Sequence, residues 1–207
     1  KDLFVAGFWM TVQLTIVAIV CGLLLGLLLG LVSSSRMAPK PKSPLLAVLI
    51  KPAQWLTLAY VTFFRGTPLF VQILLVHFAL MPTLIHPDHG LLLAGDAARE
   101  FRQNHGAFFS GALALTLNAG AYISEVFRAG IQSIDRGQVE ASRSLGMSYG
   151  RTMFHVVLPQ AFRRMLPPLG NNAISLLKDS SLISAIGLAE LAYAARTVAG
   201  AYARYWE

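Results

Sequence analysis

Residues 3–32 contain no charged side chain, a run of 30 positions. Roughly 20 apolar residues in helix cross the hydrocarbon core of a bilayer, so this segment commits the chain to a membrane. A cleaved signal peptide would have a shorter apolar core and a small-residue cleavage site, and no such pattern is present. The remaining sequence has the same character. Only 13% of the 207 residues are charged and 55% are hydrophobic, whereas an average soluble domain carries roughly 25% charged residues.

Three further segments are apolar enough to span. The second covers residues 67–85, with Pro68 suited to a helix first turn. The third starts at Gly106 and has 19 uncharged residues through Ser124. The fourth covers residues 165–189 and is broken by Lys178-Asp179. The expected fold class is therefore an all-α membrane protein, a single transmembrane domain over residues 1–207 with four spanning helices. Residues 45–64 are also apolar but carry Lys51-Pro52, and the loop charges argue against a fifth crossing there. With four spans, the 33–52 loop (Arg36, Lys40, Lys42, Lys51) and the 128–164 loop, with six arginines, share one side. The 82–105 loop lies opposite, with two arginines against Asp88, Asp96 and Glu100. This is the positive-inside pattern, and it places residues 40 and 143 in the cytoplasm and residue 96 outside. The net charge of +7 thus reports topology rather than nucleic-acid binding. Lys1 and Glu207 read as cuts in a longer polypeptide.

Gly22, Gly26 and Gly30 recur at intervals of four in the first segment. They place small residues on one helix face, where a second helix can approach closely. Residues 33–44, SSSRMAPKPKSP, form a Pro- and Lys-rich connector. Cys21 is the single cysteine and forms no intrachain disulfide. Gly-x-x-x-x-Gly-Lys-Ser/Thr, His-Glu-x-x-His and Cys-x-x-Cys are all absent. His86 and His89 flank Pro87-Asp88, an incomplete metal ligand set, and no Ser/His/Asp arrangement stands out. These features point away from enzyme chemistry, and no cofactor or metal is expected in this chain.

The polar stretch QVEASRSLGMSYGRTMFHVVLPQ, residues 138–160, sits between two apolar segments. It has room for about two turns of helix between Gly137 and Gly150, with a glycine on each side to let the chain turn. Glu140-Ala141-Ser142 is followed after three residues by Gly146, and after nine more by Val156-x-Leu158-Pro159. This resembles the EAA loop of ABC importer permeases, with Ser142 for Ala and Val156 for Ile as departures. FFRGTPLFVQ (63–72), AYISEVFRAGIQSIDRGQVEAS (121–142), LPQAFRRMLPPLGNN (158–172) and SLLKDSSLISAIGLAEL (175–191) are similar to the polar amino acid importer permeases. The resemblance covers residues 63–191 except the 82–105 loop.

The resemblance implies a type I ABC importer transmembrane domain in the bacterial inner membrane, with a fifth helix expected beyond Glu207. It implies a cytoplasmic coupling loop, residues 135–160, whose Glu140, Ala141, Ser142, Gly146, Leu158 and Pro159 meet an ATPase subunit. The implied partners are two such ATPases holding ATP and Mg, a second permease subunit, identical or related, and an extracellular or periplasmic solute-binding protein. The implied substrate is a polar L-amino acid. Rival readings are a permease for methionine or an inorganic anion, an ion-coupled carrier, and a structural membrane anchor.

Polar residues stranded in apolar sequence mark the expected substrate path. Asn118, Tyr122 and Glu125 lie at i, i+4 and i+7, on one helix face. Charges inside a membrane are costly and face partners or water. Glu125 either lines the path or pairs with Arg128. Lys178, Asp179 and Ser180 interrupt an apolar run, as at the broken helices of many transporters. Lys178 and Asp179 either serve the path or satisfy each other or a neighbouring subunit. Together these residues offer both charge signs to an ammonium and a carboxylate. Arg65 reads as a structural or phosphate-facing arginine, and Gln72 and His77 as polar points on the second helix.

Overall fold

The computed structural model describes residues 2–34 and 44–202. Arg36, Lys40 and Lys42 of the connector, and with them the expectation for residue 40, lie outside the described residues. The described chain is helical almost throughout: α1 (Asp2–Ser34), α2 (Pro44–Gly66), α3 (Leu69–Leu75), α4 (Met81–Leu84), α5 (Gly95–Gln132), α6 (Arg136–Ser144), α7 (Tyr149–Thr152), α8 (Leu158–Asp179) and α9 (Leu191–Tyr202). Wide π turns join α3 to α4 (Val76–Leu80) and α7 to α8 (Met153–Val157). A 3-10 segment, Ser180–Ile186, extends α8. Among the described residues, α1 and α5 are each long and apolar enough to cross a membrane alone. Counting two bent pairs as one span each raises the number to four. Ile50–Gly66 of α2 and the run Leu69–Leu84 are such a pair and pass the test of length and hydropathy together.

The chain forms two compact units. One contains residues up to Cys21, Thr67–Asn118 and the chain from Ala173 onward. The other contains Gly22–Gly66 and Ala119–Asn172. In the second unit, the glycine face of α1 packs on α5. A methyl at Gly22 would lie 2.8 Å from Ala119 Cβ, at Gly26 2.6 Å from Ile123 Cβ, and at Gly30 2.8 Å from Phe127 Cβ. Backbones this close leave no room for a side chain, which is the helix contact expected from the four-residue spacing. A second cluster, Ile131, Ile134, Val157, Ala161 and Met165, fastens the end of α5 to the start of α8. Val139 of α6 and Met153 pack against it.

In the first unit, the 82–105 loop is a folded knot. Ile85 and Leu93 bridge in parallel. Leu92 N–H donates to Leu84 O (2.8 Å) and Gly95 N–H to Pro87 O (2.8 Å). Met81, Ile85 and Ala98 form its small core. α9 begins in the same unit. Glu190 is fully buried, and its carboxylate accepts from the N–H groups of Ala192 (2.9 Å) and Tyr193 (2.7 Å). Thr11 of α1 accepts from Leu191 N–H (3.1 Å). These three bonds satisfy donors that a helix start leaves without partners.

Two expectations about backbone breaks are corrected. α8 ends at Asp179, directly after Lys178, but the chain stays helical as the 3-10 segment Ser180–Ile186 and turns away only at Gly187, whose φ is +87°. Between these points the hydroxyls of Ser180, Ser181 and Ser184 each donate to the carbonyl three residues back, at 2.7 Å. Such bonds compete with the helical ladder and tighten it. The glycine joints of the polar stretch also move. Gly137 and Gly150 both sit inside helices, and the chain turns instead at Asp135 and at Gly146, where φ is +81°.

Candidate functional site

The polar stretch builds a short helix with one face free. Asp135 caps α6 by accepting from Gly137 N–H (2.7 Å). Ser142 turns inward, buried, with its hydroxyl donating to Gln138 O (2.7 Å). Gln160 of α8 donates to Gln138 Oε1 (2.6 Å) and to Val156 O (2.9 Å), and Arg164 donates to Ser133 O. α6 is thereby fixed to α8 by side chains as well as by the Val157–Met165 cluster. Glu140 and Ala141 remain exposed on its outer face. Leu145, which ends the helix, is 85% exposed, the most exposed large hydrophobic side chain among the described residues. A cavity of about 720 Å³ lies beside α6, bounded by Arg136, Val139, Glu140 and Tyr149 among others. Burial there raises the pKa of the Tyr149 phenol. Leu158 and Pro159 begin α8 directly after the wide turn Met153–Val157. A wide turn relieves the clash between a proline ring and the carbonyl four residues back.

The path residues fall in both units. Asn118, Lys178, Asp179 and Ser180 belong to the first, and Tyr122 and Glu125 to the second. In the second unit Glu125 is held by two arginines. Arg128 donates to both carboxylate oxygens, through Nε at 2.9 Å and through Nη2, and Arg65 Nη1 lies 3.9 Å from Oε1. The Arg65 guanidinium also sits 5.4 Å from the centre of the Tyr122 ring, in cation–π range. Sequence reasoning foresaw the Arg128 pairing but not Arg65, which lies sixty positions away. The three charges border a cavity of about 550 Å³ that Thr57, Thr62 and Ser124 also line.

In the first unit Asn118 is buried and donates to Gln72 Oε1 (2.9 Å). Gln72 in turn donates to Thr67 O (3.0 Å) and Oγ1 (2.8 Å). His77 Nδ1 meets Ser110 Oγ at 3.0 Å. No ion pair joins Lys178 to Asp179 among the described residues, and Lys178 is exposed while Ser180 is buried. Glu190 escaped sequence reasoning, although an acid directly ahead of an apolar periodic run is a helix-start signal. Among the described residues, no three His, Cys, Asp or Glu side chains gather as a metal site.

Comparison with known proteins supplies the class. A family model described as the binding-protein-dependent transport system inner membrane component matches residues 45–199. The chain belongs to this family of membrane proteins. It is 40% identical over 150 residues to the probable glutamine ABC transporter permease protein GlnM of Bacillus subtilis, covering 72% of this chain and 61% of the relative. It is 42% identical over 142 residues to the L-cystine transport system permease protein TcyB of the same organism, covering 69% and 53%. The arginine transport system permease protein ArtQ, also of Bacillus subtilis, is 37% identical over 157 residues, covering 76% and 64%. The chain thus spans less than two thirds of each of these relatives. A crystal structure described as an amino acid ABC transporter with histidines superposes with a TM-score of 0.76 at 37% identity, covering 100% of this chain and 82% of that one. An inward-facing structure of the MetNI methionine ABC transporter shares the fold, with a TM-score of 0.60 at 22% identity, covering 89% and 74%. The chain is an all-α, multi-pass membrane protein with the type I ABC importer transmembrane fold.

Proposed function

We propose that this chain is the membrane-spanning subunit of an ATP-driven importer of polar L-amino acids. The observation that carries the reading is α6: a rigidly mounted helix presenting Glu140, Ala141 and the bare Leu145 at the spacing of the EAA loop. The relatives named for glutamine, cystine and arginine transport support the substrate class. On this reading α6 seats in an ATPase subunit, with Gly146, Leu158 and Pro159 shaping its exit and Ser142 its inner packing. Two ATPases bind ATP and Mg, a second permease subunit completes the path, and a solute-binding protein delivers substrate outside. This chain does no bond chemistry itself. Asn118, Tyr122, Glu125, Lys178, Asp179 and Ser180 contribute to the path. Because Glu125 is already held by Arg65 and Arg128, a substrate ammonium reaches it only in competition with those arginines.

The test is transport in proteoliposomes holding the permease, its ATPase and its binding protein, with labelled L-glutamine, L-arginine, L-cystine, L-methionine and phosphate offered in turn. Uptake of a polar amino acid that stops without ATP is expected. Uptake driven by an ion gradient without the ATPase would make the protein a carrier. Uptake restricted to methionine or phosphate would move it to another branch of importers.

A further inference from the structure

We infer that the cavity beneath the 82–105 loop is a waiting site for the carboxylate of the incoming amino acid. This rests on the amino acid importer reading above. The cavity holds about 320 Å³ and lies wholly within the first unit. Arg99 and Arg102 line it from the first turns of α5, one helical turn apart, with Gln103 beside them. No carboxylate belongs to its wall, and neither arginine forms an ion pair among the described residues. Both arginines are exposed and Glu100 lies between them in sequence, but they are the charged groups that line the cavity, and guanidinium matches carboxylate through paired hydrogen bonds.

The rest of the wall is mainly apolar, with Met81, Pro87 and Phe101, and sets His77 and Ser110 among them. Ser110 is fully buried and donates its hydroxyl proton to Gly106 O (2.7 Å). The His77 ring borders it, with Nδ1 3.0 Å from Ser110 Oγ. His77 sits on the wide turn Val76–Leu80, and turns of this kind recur at functional sites. The volume admits a small amino acid, at the lower end of ligand pockets. Asn118, in the same unit, follows Ser110 by eight positions of α5, about 12 Å along the axis. The loop charges place this end outside, where substrate arrives. The carboxylate is thus held first, ahead of the membrane-buried residues.

The experiment places a single cysteine in the wall, Gln103→Cys with Cys21→Ser, in the purified permease–ATPase complex in phosphatidylcholine nanodiscs. An anionic and a cationic methanethiosulfonate are reacted with it, each rate normalised to a free thiol. The anion is expected to be favoured about tenfold, the low end of electrostatic focusing in a charged cleft. Arg99→Gln with Arg102→Gln should abolish the preference. L-Glutamine should protect the cysteine, and L-glutaminamide, which lacks the carboxylate, should not. Equal normalised rates, or equal protection by both compounds, overturn the inference. So does protection by substrate-free binding protein, which makes the arginines a protein contact. Loss of preference on adding phosphatidylglycerol shows a lipid phosphate in the cavity and overturns it as well. The uptake panel is read separately. Normal amino acid uptake without charge preference sinks this site alone, and absent amino acid uptake sinks the broader reading.

Discussion

Glu190 and Glu125 both sit in stretches of apolar sequence, one at the start of α9 and the other within α5. The protein satisfies them by opposite means. Glu190 is buried and its carboxylate meets backbone N–H groups, whose positions are those of the helix itself. Glu125 meets the ends of two long, partly exposed side chains, Arg65 and Arg128. Backbone partners do not leave unless the helix end unwinds. Arginine partners can swing away without unwinding a helix, at the cost of their charge-assisted hydrogen bonds, part of which water replaces. The first arrangement fixes structure, and the second leaves a charge that can change partners. A transport cycle needs the second kind along its path and the first kind around it.

The largest expected effect comes from breaking the fixed arrangement. Glu190→Ala takes from the part-buried N–H groups of Ala192 and Tyr193 the carboxylate that accepts from them, and any acceptor they then find must be water entering the space of a buried side chain. Each such group costs ~1–3 kcal/mol, so the loss is about 2–6 kcal/mol. The midpoint of thermal unfolding in detergent should fall sharply, with yield. Glu190→Gln retains one acceptor oxygen and should fall by less. An unchanged midpoint in Glu190→Ala would put the two glutamates in one category.

Glu125→Gln should do the reverse. Its removed charge leaves Arg65 and Arg128 half-exposed and able to reach water, so folding and ATP hydrolysis should persist. Transport should drop tenfold or more, or its substrate preference should change, about 1.4 kcal/mol or more in the transport step. Expression, ATPase rate and labelled uptake measured together separate this from misfolding. Wild-type uptake with wild-type affinity would make Glu125 a structural ion pair.

These two residues also show what could be read from the chain alone. Charge-free runs located α1 and α5 because the bilayer penalises each charge separately from its context, whereas residues 67–85 pass as a span only together with α2, which the loop charges had argued against. The helix α6 was visible because Glu140, Gly146 and Pro159 carry their spacing in sequence. Arg128 was visible as a partner because it is one turn from Glu125. Arg65 was not, because a contact across sixty residues leaves no local pattern. Lys178-Asp179 marks where α helix passes into 3-10 helix, a smaller interruption than its charges suggested. The backbone breaks at Gly187, where a positive φ is required, and a glycine among small residues gave little reason to choose it over its neighbours.

Two glycines of the polar stretch sharpen the same distinction on a smaller scale. Gly146 has φ +81° and Gly150 is helical within α7, and neither has atoms near an added methyl. Space therefore plays no part, and backbone conformation alone sets the sign. Gly146→Ala should destabilise by about 1–2 kcal/mol and reduce ATPase stimulation by loaded binding protein. Gly150→Ala should stabilise by about 0.5–1 kcal/mol. Opposite shifts in melting midpoint are expected, and equal shifts would return the joint to Gly150.

The smallest effect tests whether burial, rather than capping chemistry, makes Glu190 indispensable. Asp135 performs the same task at α6 that Glu190 performs at α9: a carboxylate oxygen accepts a first-turn N–H, from Gly137 at 2.7 Å. The difference is solvent, since Asp135 and Gly137 are exposed. In Asp135→Ala, water takes up the freed N–H, so the cost should be that of an ordinary N-cap, about 1 kcal/mol. The loss should appear locally, as faster amide hydrogen exchange across residues 136–144 with little change in the global midpoint. Glu140→Arg, in contrast, should leave that exchange unchanged and still lower ATPase stimulation, because its side chain faces outward from an intact helix. If Asp135→Ala proves as damaging to the fold as Glu190→Ala, capping itself is the decisive contribution and burial adds nothing. If exchange across α6 does not change, the helix is held by Gln160 and the Val157–Met165 cluster alone.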